Sequence, residues 1–188
     1  MTAATLLDLP RLTPETATGE SAELLASAKA RMGYLPNMYG YMALHPAILG
    51  GYIAAYDAFR KTAVFTPAEQ ETVFLSISRV NGCDYCMAAH SMIADKRSGV
   101  PAQALAALRD GTPIEDTRLQ ALATFTRIMV EKRGLPDKDE VAAFLAAGFT
   151  QQQVLGLILA IAAKTFSNFV NHLAGTELDA GFAPYRFG

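Results

Sequence analysis

The chain has 188 residues, a formal net charge of −2 and a pI near 5.9. Its basic residues cluster no further than the pairs Arg60-Lys61, Lys96-Arg97 and Lys132-Arg133. Nucleic-acid binding needs a concentrated basic face, so this balance argues against it. Hydrophobic residues make up 51% and charged residues 18% of the chain, less charge than the roughly 25% usual in soluble domains. The chain is therefore expected either to enter a membrane or to bury apolar surface against other subunits. The most apolar run, Val154 to Ala163, is ten residues long, short of the roughly 18–20 that span a bilayer. The segment Met1 to Pro10 lacks a basic start and is cut by Asp8 and Pro10, unlike a signal peptide. The expectation is a soluble cytoplasmic homo-oligomer.

The pattern predicts helices almost throughout. Ser21 can cap a helix to about Met32, ended by Gly33 and Pro36. Pro46 can open the next, with Ile48, Leu49, Tyr52, Ile53 and Tyr56 at helical spacing. Thr66, Pro67 and Glu69 form a capping-box arrangement for a helix through Glu71, Phe74, Leu75 and Ile77 to about Val80. Asn81-Gly82 breaks it. Cys83 to Lys96 reads as a further helix ending near Ser98-Gly99, and Pro101 opens a short one. Asp116 to Lys132 is amphipathic, Asp137 to Ala147 follows, and Thr150 caps a last long helix to about Leu173. The tail from Gly181 reads as irregular. No segment alternates with the period of a strand, so the fold class is all-α. Phe65-Thr66-Pro-Ala-Glu69 and Phe149-Thr150-Gln-Gln-Gln153 open their helices alike, a faint internal echo.

Cys83 and Cys86 are the only cysteines and stand three apart, with His90 four residues beyond. On a helix the two sulfurs share a face and can close a disulfide, and His90 lies one turn past Cys86. A close pair of this kind in a cytosolic chain points to redox or metal work. Asn81-Gly82 places Cys83 at or next to a helix start, where free N–H groups favour a thiolate. If the preceding helix packs against this one, Glu71 can orient His90 as a base acting on the thiol. Two other uses stay open. The cysteines can be packing residues, or they and His90 can join a distant His45 or His172 around zinc. His172, beside Asn171 near a helix end, reads as a satisfied structural histidine. His45-Pro46 reads as a helix entry with no chemistry.

Glu71, Ser78, Asn81, Cys83, Tyr85, Cys86 and His90 together resemble the motif of the alkylhydroperoxidase D family, within the wider carboxymuconolactone decarboxylase-like superfamily. Gly33-Tyr-Leu-Pro-Asn37 with His45-Pro46, and Asn168 to His172 with Thr176 and Asp179, resemble its peroxidase-related branch. The resemblance implies an all-helical fold, oligomers and thiol-dependent reduction of hydroperoxides. It implies that Cys86 is the peroxidatic cysteine, Cys83 the resolving one, and His90 with Glu71 the proton relay. Tyr85 stands where the best-known peroxidase members carry histidine, which leaves the relay to His90 and Glu71 and makes Tyr85 a candidate auxiliary residue. Decarboxylase members generally lack the paired cysteines, so lactone decarboxylation is not expected.

The expected function is peroxide reduction through a Cys83–Cys86 dithiol/disulfide cycle, with an external dithiol or protein thiol as reductant and no bound cofactor or metal. The alternative is a thiol–disulfide adaptor or redox sensor. The expected organisation is one all-helical domain over 1–188, with a helical extension to about 64 and a catalytic core over about 65–180.

Overall fold

The computed structural model describes residues 6–61 and 64–188, and every regular element among them is helical. In chain order these are α1 (Gly19–Met32), α2 (Asn37–Met42), α3 (Pro46–Lys61), α4 (Pro67–Val80), α5 (Asp84–Ile93), α6 (Ala102–Asp110), α7 (Thr117–Glu131), α8 (Lys138–Ala146) and α9 (Gln151–Ala174). A π turn, Ala94–Ser98, extends α5, and a 3₁₀ segment, Ala180–Tyr185, lies in the tail. The all-α expectation holds. The expectation about a signal peptide falls in part on residues 1–5, which lie outside the described residues.

Local chemistry sets the starts of α4, α7, α8 and α9. The Thr66 hydroxyl accepts from the Glu69 N–H at 3.2 Å, and the Glu69 carboxylate accepts from the Thr66 N–H at 2.8 Å. Thr150 with Gln153 and Asp137 with Glu140 close the same reciprocal box. Asp116 accepts from the N–H groups of Arg118 and Leu119, both at 2.9 Å. The two echoed openings meet in space: the Phe65 and Phe149 rings are 6.4 Å apart, and Gln153 donates to the Val64 carbonyl.

Four expectations need correction. Ser21 does not cap α1; Thr18 holds that position, and the Ser21 hydroxyl donates to the Ala43 carbonyl at 2.6 Å, a tertiary bond that removes it from local use. The helix expected from Cys83 begins at Asp84, with Cys83 in extended backbone as its N-cap. The short α2 and the tail's 3₁₀ segment were not expected, because neither is long enough to show a period. Finally, α9 is long and apolar enough to cross a membrane by length and composition, although its longest unbroken apolar run is short. Here it packs on α3 and α4 and buries one face inside the protein.

The helix α4 is the hub. It contacts α5, α6, α7 and α9, and every residue from Glu69 to Ser78 is buried. One apolar cluster gathers Phe59, Phe74, Phe125, Phe144, Phe149 and Leu157 around it. A second holds Leu25, Met38, Met42, Leu49 and Tyr52 from α1–α3 against Cys83, Cys86 and Ala88. Fully burying each such large side chain contributes about 1.5–3 kcal/mol, so both cysteines are part of the core that α1–α3 close.

Candidate active site

Chain direction changes at Asn81-Gly82. Gly82 has φ +67°, a left-handed backbone that costs a residue with a Cβ roughly 1–2 kcal/mol. This turn lets the Cys83 N–H donate to the Ser78 carbonyl at 2.9 Å, and α5 departs from there alongside α4. The turn is also held from α9, since Asn81 Nδ2 donates to Asn168 Oδ1 at 2.8 Å. Cys83 and Cys86 are free thiols, both buried.

Because α5 runs beside α4, Glu71 meets His90 although nineteen residues separate them: His90 Nδ1 lies 2.8 Å from Glu71 Oε2. Both are buried, Glu71 completely. The second carboxylate oxygen of Glu71 pairs with Arg60 Nη2 at 2.5 Å, and Arg60 also donates to the Tyr56 hydroxyl at 2.8 Å. Burial opposes the charge on Glu71, and His90 and Arg60 overcome it, holding the carboxyl below its usual range. Burial, with the Lys164 cation, pushes the His90 imidazole below its ordinary value, while Glu71 pulls the other way. A neutral imidazole that gives Nδ1–H to an ionised Glu71 keeps Nε2 as its acceptor.

Lys164, on α9, was not foreseen. It is 1% exposed, and none of the ion pairs among the described residues includes it. Its ammonium lies 5.6 Å from the Phe74 ring centroid and stands close enough to Cys86 to favour the thiolate there. Burial opposes ionisation of Cys86. The neighbouring Cys83 thiol, then the charge of Lys164, outweigh it and hold the thiol well below its usual value. Cys83 moves the other way: donating to Cys86, together with burial, keeps it a thiol. One turn-pair along the same face, Asn171 Nδ2 lies 3.4 Å from Cys86 Sγ and 3.7 Å from Cys83 Sγ. The signal for this face was present in the sequence. Lys164 is the only Asp, Glu, Lys or Arg in α9, and with Ser167, Asn168 and Asn171 it forms a polar stripe at helical spacing on a buried side.

Tyr85 does not join the relay. Its hydroxyl lies 2.5 Å from Asp179 Oδ2, and Asp179 also accepts from the Asn37 N–H at 3.1 Å. Burial, and then the Asp179 charge, push the phenol far above its ordinary value. His45 and His172 do not meet Cys83, Cys86 and His90 as a metal set. Among the described residues no group of three or more His, Cys, Asp and Glu is arranged to hold a metal ion. The reading of His172 as satisfied needs correction, since its buried Nε2 has no hydrogen-bond partner. A cleft of about 570 Å3 opens over Cys83 between α5 and the end of α9. A hollow of about 290 Å3 beside Arg79 and Gln120 lies away from the cysteines.

The all-helical domain, with its Cys-x-x-Cys pair at a helix start and a buried His–Glu pair behind it, has the alkylhydroperoxidase D-like fold that the motif implied. The carboxymuconolactone decarboxylase family matches residues 46–127, and that match, with the fold, supports the resemblance to the superfamily that unites the two. The fold is similar to an uncharacterized peroxidase-related protein of Ralstonia eutropha JMP134 with an alkylhydroperoxidase AhpD core, at TM-score 0.81 and 19% identity over 96% of each chain. It is similar to an uncharacterized peroxidase-related protein of Silicibacter sp. TM1040, at TM-score 0.75 and 21% identity over 97% of this chain and 96% of that one. It is also similar to the debrominase Bmp8, solved as a cysteine-to-alanine variant with 2,3,4-tribromopyrrole, at TM-score 0.76 and 15% identity over 95% of each. No curated protein matches the chain significantly.

Proposed function

We propose that the protein is a cytoplasmic thiol-dependent peroxidase that reduces hydroperoxides with electrons from an external dithiol. The observation that carries this reading is the environment of Cys86. Lys164 and the Cys83 thiol favour its thiolate, and His90, held at 2.8 Å by Glu71, stands one turn away. The Cys86 thiolate attacks the distal oxygen of the hydroperoxide. The S–O bond forms, the O–O bond breaks, sulfur loses two electrons, and the alkoxide takes the proton relayed from Cys86 through His90. The Cys83 thiol then condenses with the Cys86 sulfenic acid, releasing water and forming the disulfide. The external dithiol attacks through a mixed disulfide and leaves oxidised, which returns both cysteines to thiols. The sum is hydroperoxide plus dithiol giving alcohol, water and disulfide.

The test is stopped-flow oxidation of the reduced protein by a panel of hydroperoxides, with thiols counted before and after. Wild type should lose two thiols per peroxide. Cys86→Ser should abolish turnover, and Cys83→Ser should halt at the sulfenic acid. Peroxide turnover that survives Cys86→Ser unchanged sinks the assignment. A second reading, a thiol–disulfide adaptor, is favoured by the position of Cys83, the one of the two cysteines that lines the cleft. Disulfide exchange with a dithiol protein, in a chain inert to every hydroperoxide tried, selects that reading. The likeness to Bmp8 adds 2,3,4-tribromopyrrole to the panel as a further compound to try.

A further inference from the structure

The buried pair of His90 and Glu71 has a third member on another helix. Arg60, in the last turn of α3, sets its guanidinium against the carboxylate oxygen that His90 does not use, with Nη2 2.5 Å from Glu71 Oε1. Among the described residues that oxygen has no hydrogen-bond partner, so the ion pair is what meets it. Arg60 is itself fixed from several sides. It donates to the Tyr56 hydroxyl at 2.8 Å and to Gln70 Oε1 at 3.1 Å, and Gln70 in turn donates to the Arg60 carbonyl at 3.2 Å. Its guanidinium lies 4.9 Å from the Tyr56 ring centroid and 4.8 Å from that of Phe74. The Phe74 ring is a floor common to the cluster, since the His90 ring lies 4.8 Å from it and the Lys164 ammonium 5.6 Å.

Buried charges persist only where they are balanced. Here the cations are Arg60 from α3 and Lys164 from α9, and the anions are Glu71 from α4 and the Cys86 thiolate from α5. Burial keeps Tyr56 a neutral phenol, and Cys83, donating to Cys86, stays a thiol. The charges therefore sum to zero only when His90 is neutral, with Nδ1–H toward Glu71 and no proton on Nε2. Without Arg60 the cluster holds one buried negative charge too many. The proton that restores the balance enters the pair. It either neutralises Glu71, which then donates to Nδ1 and moves the ring hydrogen to Nε2, or it makes an imidazolium. Both outcomes put hydrogen on Nε2, and His90 can then accept no proton from Cys86.

We propose that Arg60 is a positioning residue of the thiol site, its charge keeping the His90–Glu71 pair one proton short so that His90 remains a base. This role rests on the peroxidase reading, in which His90 takes the Cys86 proton, and it adds α3 to the helices that the chemistry needs.

One test needs no peroxide. In long-range proton–nitrogen correlation spectra near neutral pH, reduced wild type should show His90 with a bare Nε2. Arg60→Met and Arg60→Gln should each show hydrogen on that nitrogen, and Arg60→Lys, which keeps the cation, should return the wild-type pattern. Arg60→Gln retains a polar partner for Tyr56, so a role confined to packing and hydrogen bonds would leave it like wild type. Circular dichroism verifies folding, and should Arg60→Met not fold, Arg60→Gln alone decides. In stopped flow, thiol oxidation by hydroperoxide should slow about tenfold or more in Arg60→Gln, part of the roughly 10²–10⁴-fold contribution of general acid–base catalysis. Made in Glu71→Gln, the same substitution should slow it by less than about twofold, because the charge has no carboxylate left to hold. A bare Nε2 in folded Arg60→Gln, hydrogen on Nε2 in wild type, or an equal slowing with and without the Glu71 carboxylate overturns the role of Arg60. Wild-type thiols that no hydroperoxide oxidises overturn the peroxidase reading instead, and the nitrogen signals still decide where the proton sits.

Discussion

Lys164 is a buried cation whose stabilising partner is a sulfur. An ammonium in a protein interior is strongly penalised unless it is paired, and here a Cys86 thiolate offsets that penalty. The linkage has a definite sign. The Cys86 thiol is held well below its ordinary value, so the reactive thiolate is present above the lowered value and is lost as pH falls through it. Lys164→Met removes the opposite charge, which should raise the pH at which Cys86 ionises by about 1–3 pH units. Iodoacetamide alkylation measured against pH should show that shift. Thermal stability should change little, because Met fills the same apolar path without a buried charge. An alkylation profile in Lys164→Met that overlays wild type refutes the pairing. Glu71 makes a separate prediction. In Glu71→Gln the amide can donate to His90 Nδ1 and turn the imidazole to the wrong tautomer, so peroxide oxidation should slow about 10²-fold, the lower end of general acid–base contributions. Glu71 and His90 were legible in the sequence because a motif spacing carries both onto neighbouring helices. Lys164 showed in the sequence only as part of a polar stripe on an apolar helix, and its partner Cys86 could not be read from that spacing, because the two meet only where α9 crosses α5.

At the scale of elements, the boundaries that were legible are those set by side chains bonding to their own backbone. Thr66, Asp116, Asp137 and Thr150 fall in this group. Ser21 looked equivalent and was not, since its hydroxyl is spent on Ala43, twenty-two residues away. Tyr85 makes the same point for function. A tyrosine between two cysteines invites a chemical role, yet its hydroxyl ties α5 to Asp179 after α9, and Asp179 in turn receives the N–H of Asn37 at the start of α2. That chain of contacts fastens three elements over the cysteine helix. Tyr85→Phe should therefore lower unfolding free energy by about 1–3 kcal/mol, the charge-assisted hydrogen bond being lost, as read by urea denaturation. The rate of thiol oxidation by peroxide should stay within about twofold of wild type. A Tyr85→Phe variant of undiminished stability with a large loss of rate would instead return the residue to the relay.

At the scale of the whole molecule, the shortage of charge anticipated from composition has a location. On α9 the exposed positions include Leu155, Ile158, Phe169 and Leu173, and no charged side chain lies among the outward positions of this helix. At 1.5 Å per residue the stripe from Leu155 to Leu173 is about 27 Å long. It continues beyond the helix: the N–H groups of Leu6 and Leu7 both donate to the Leu173 carbonyl, at 3.1 and 3.0 Å, and both leucines are exposed. Exposed apolar surface that is contiguous, rather than scattered, marks an interaction face. We propose that its occupant is a second copy of this chain. A two-fold pairing sets α9 antiparallel to itself, and a stripe without charges brings no like-charge clash when it meets its own copy. A standard interface buries roughly 800 Å2 per partner, and Leu6 and Leu7, tied to the Leu173 carbonyl, extend the stripe into that contact. Wild-type protein should sediment as a dimer or larger assembly. Phe169→Glu, which sets two carboxylates against apolar surface across the two-fold, should shift it to monomer without unfolding it, as circular dichroism would verify. A wild type that is monomeric at micromolar concentration, or a Phe169→Glu variant of unchanged assembly, would place the apolar excess in some contact other than this one.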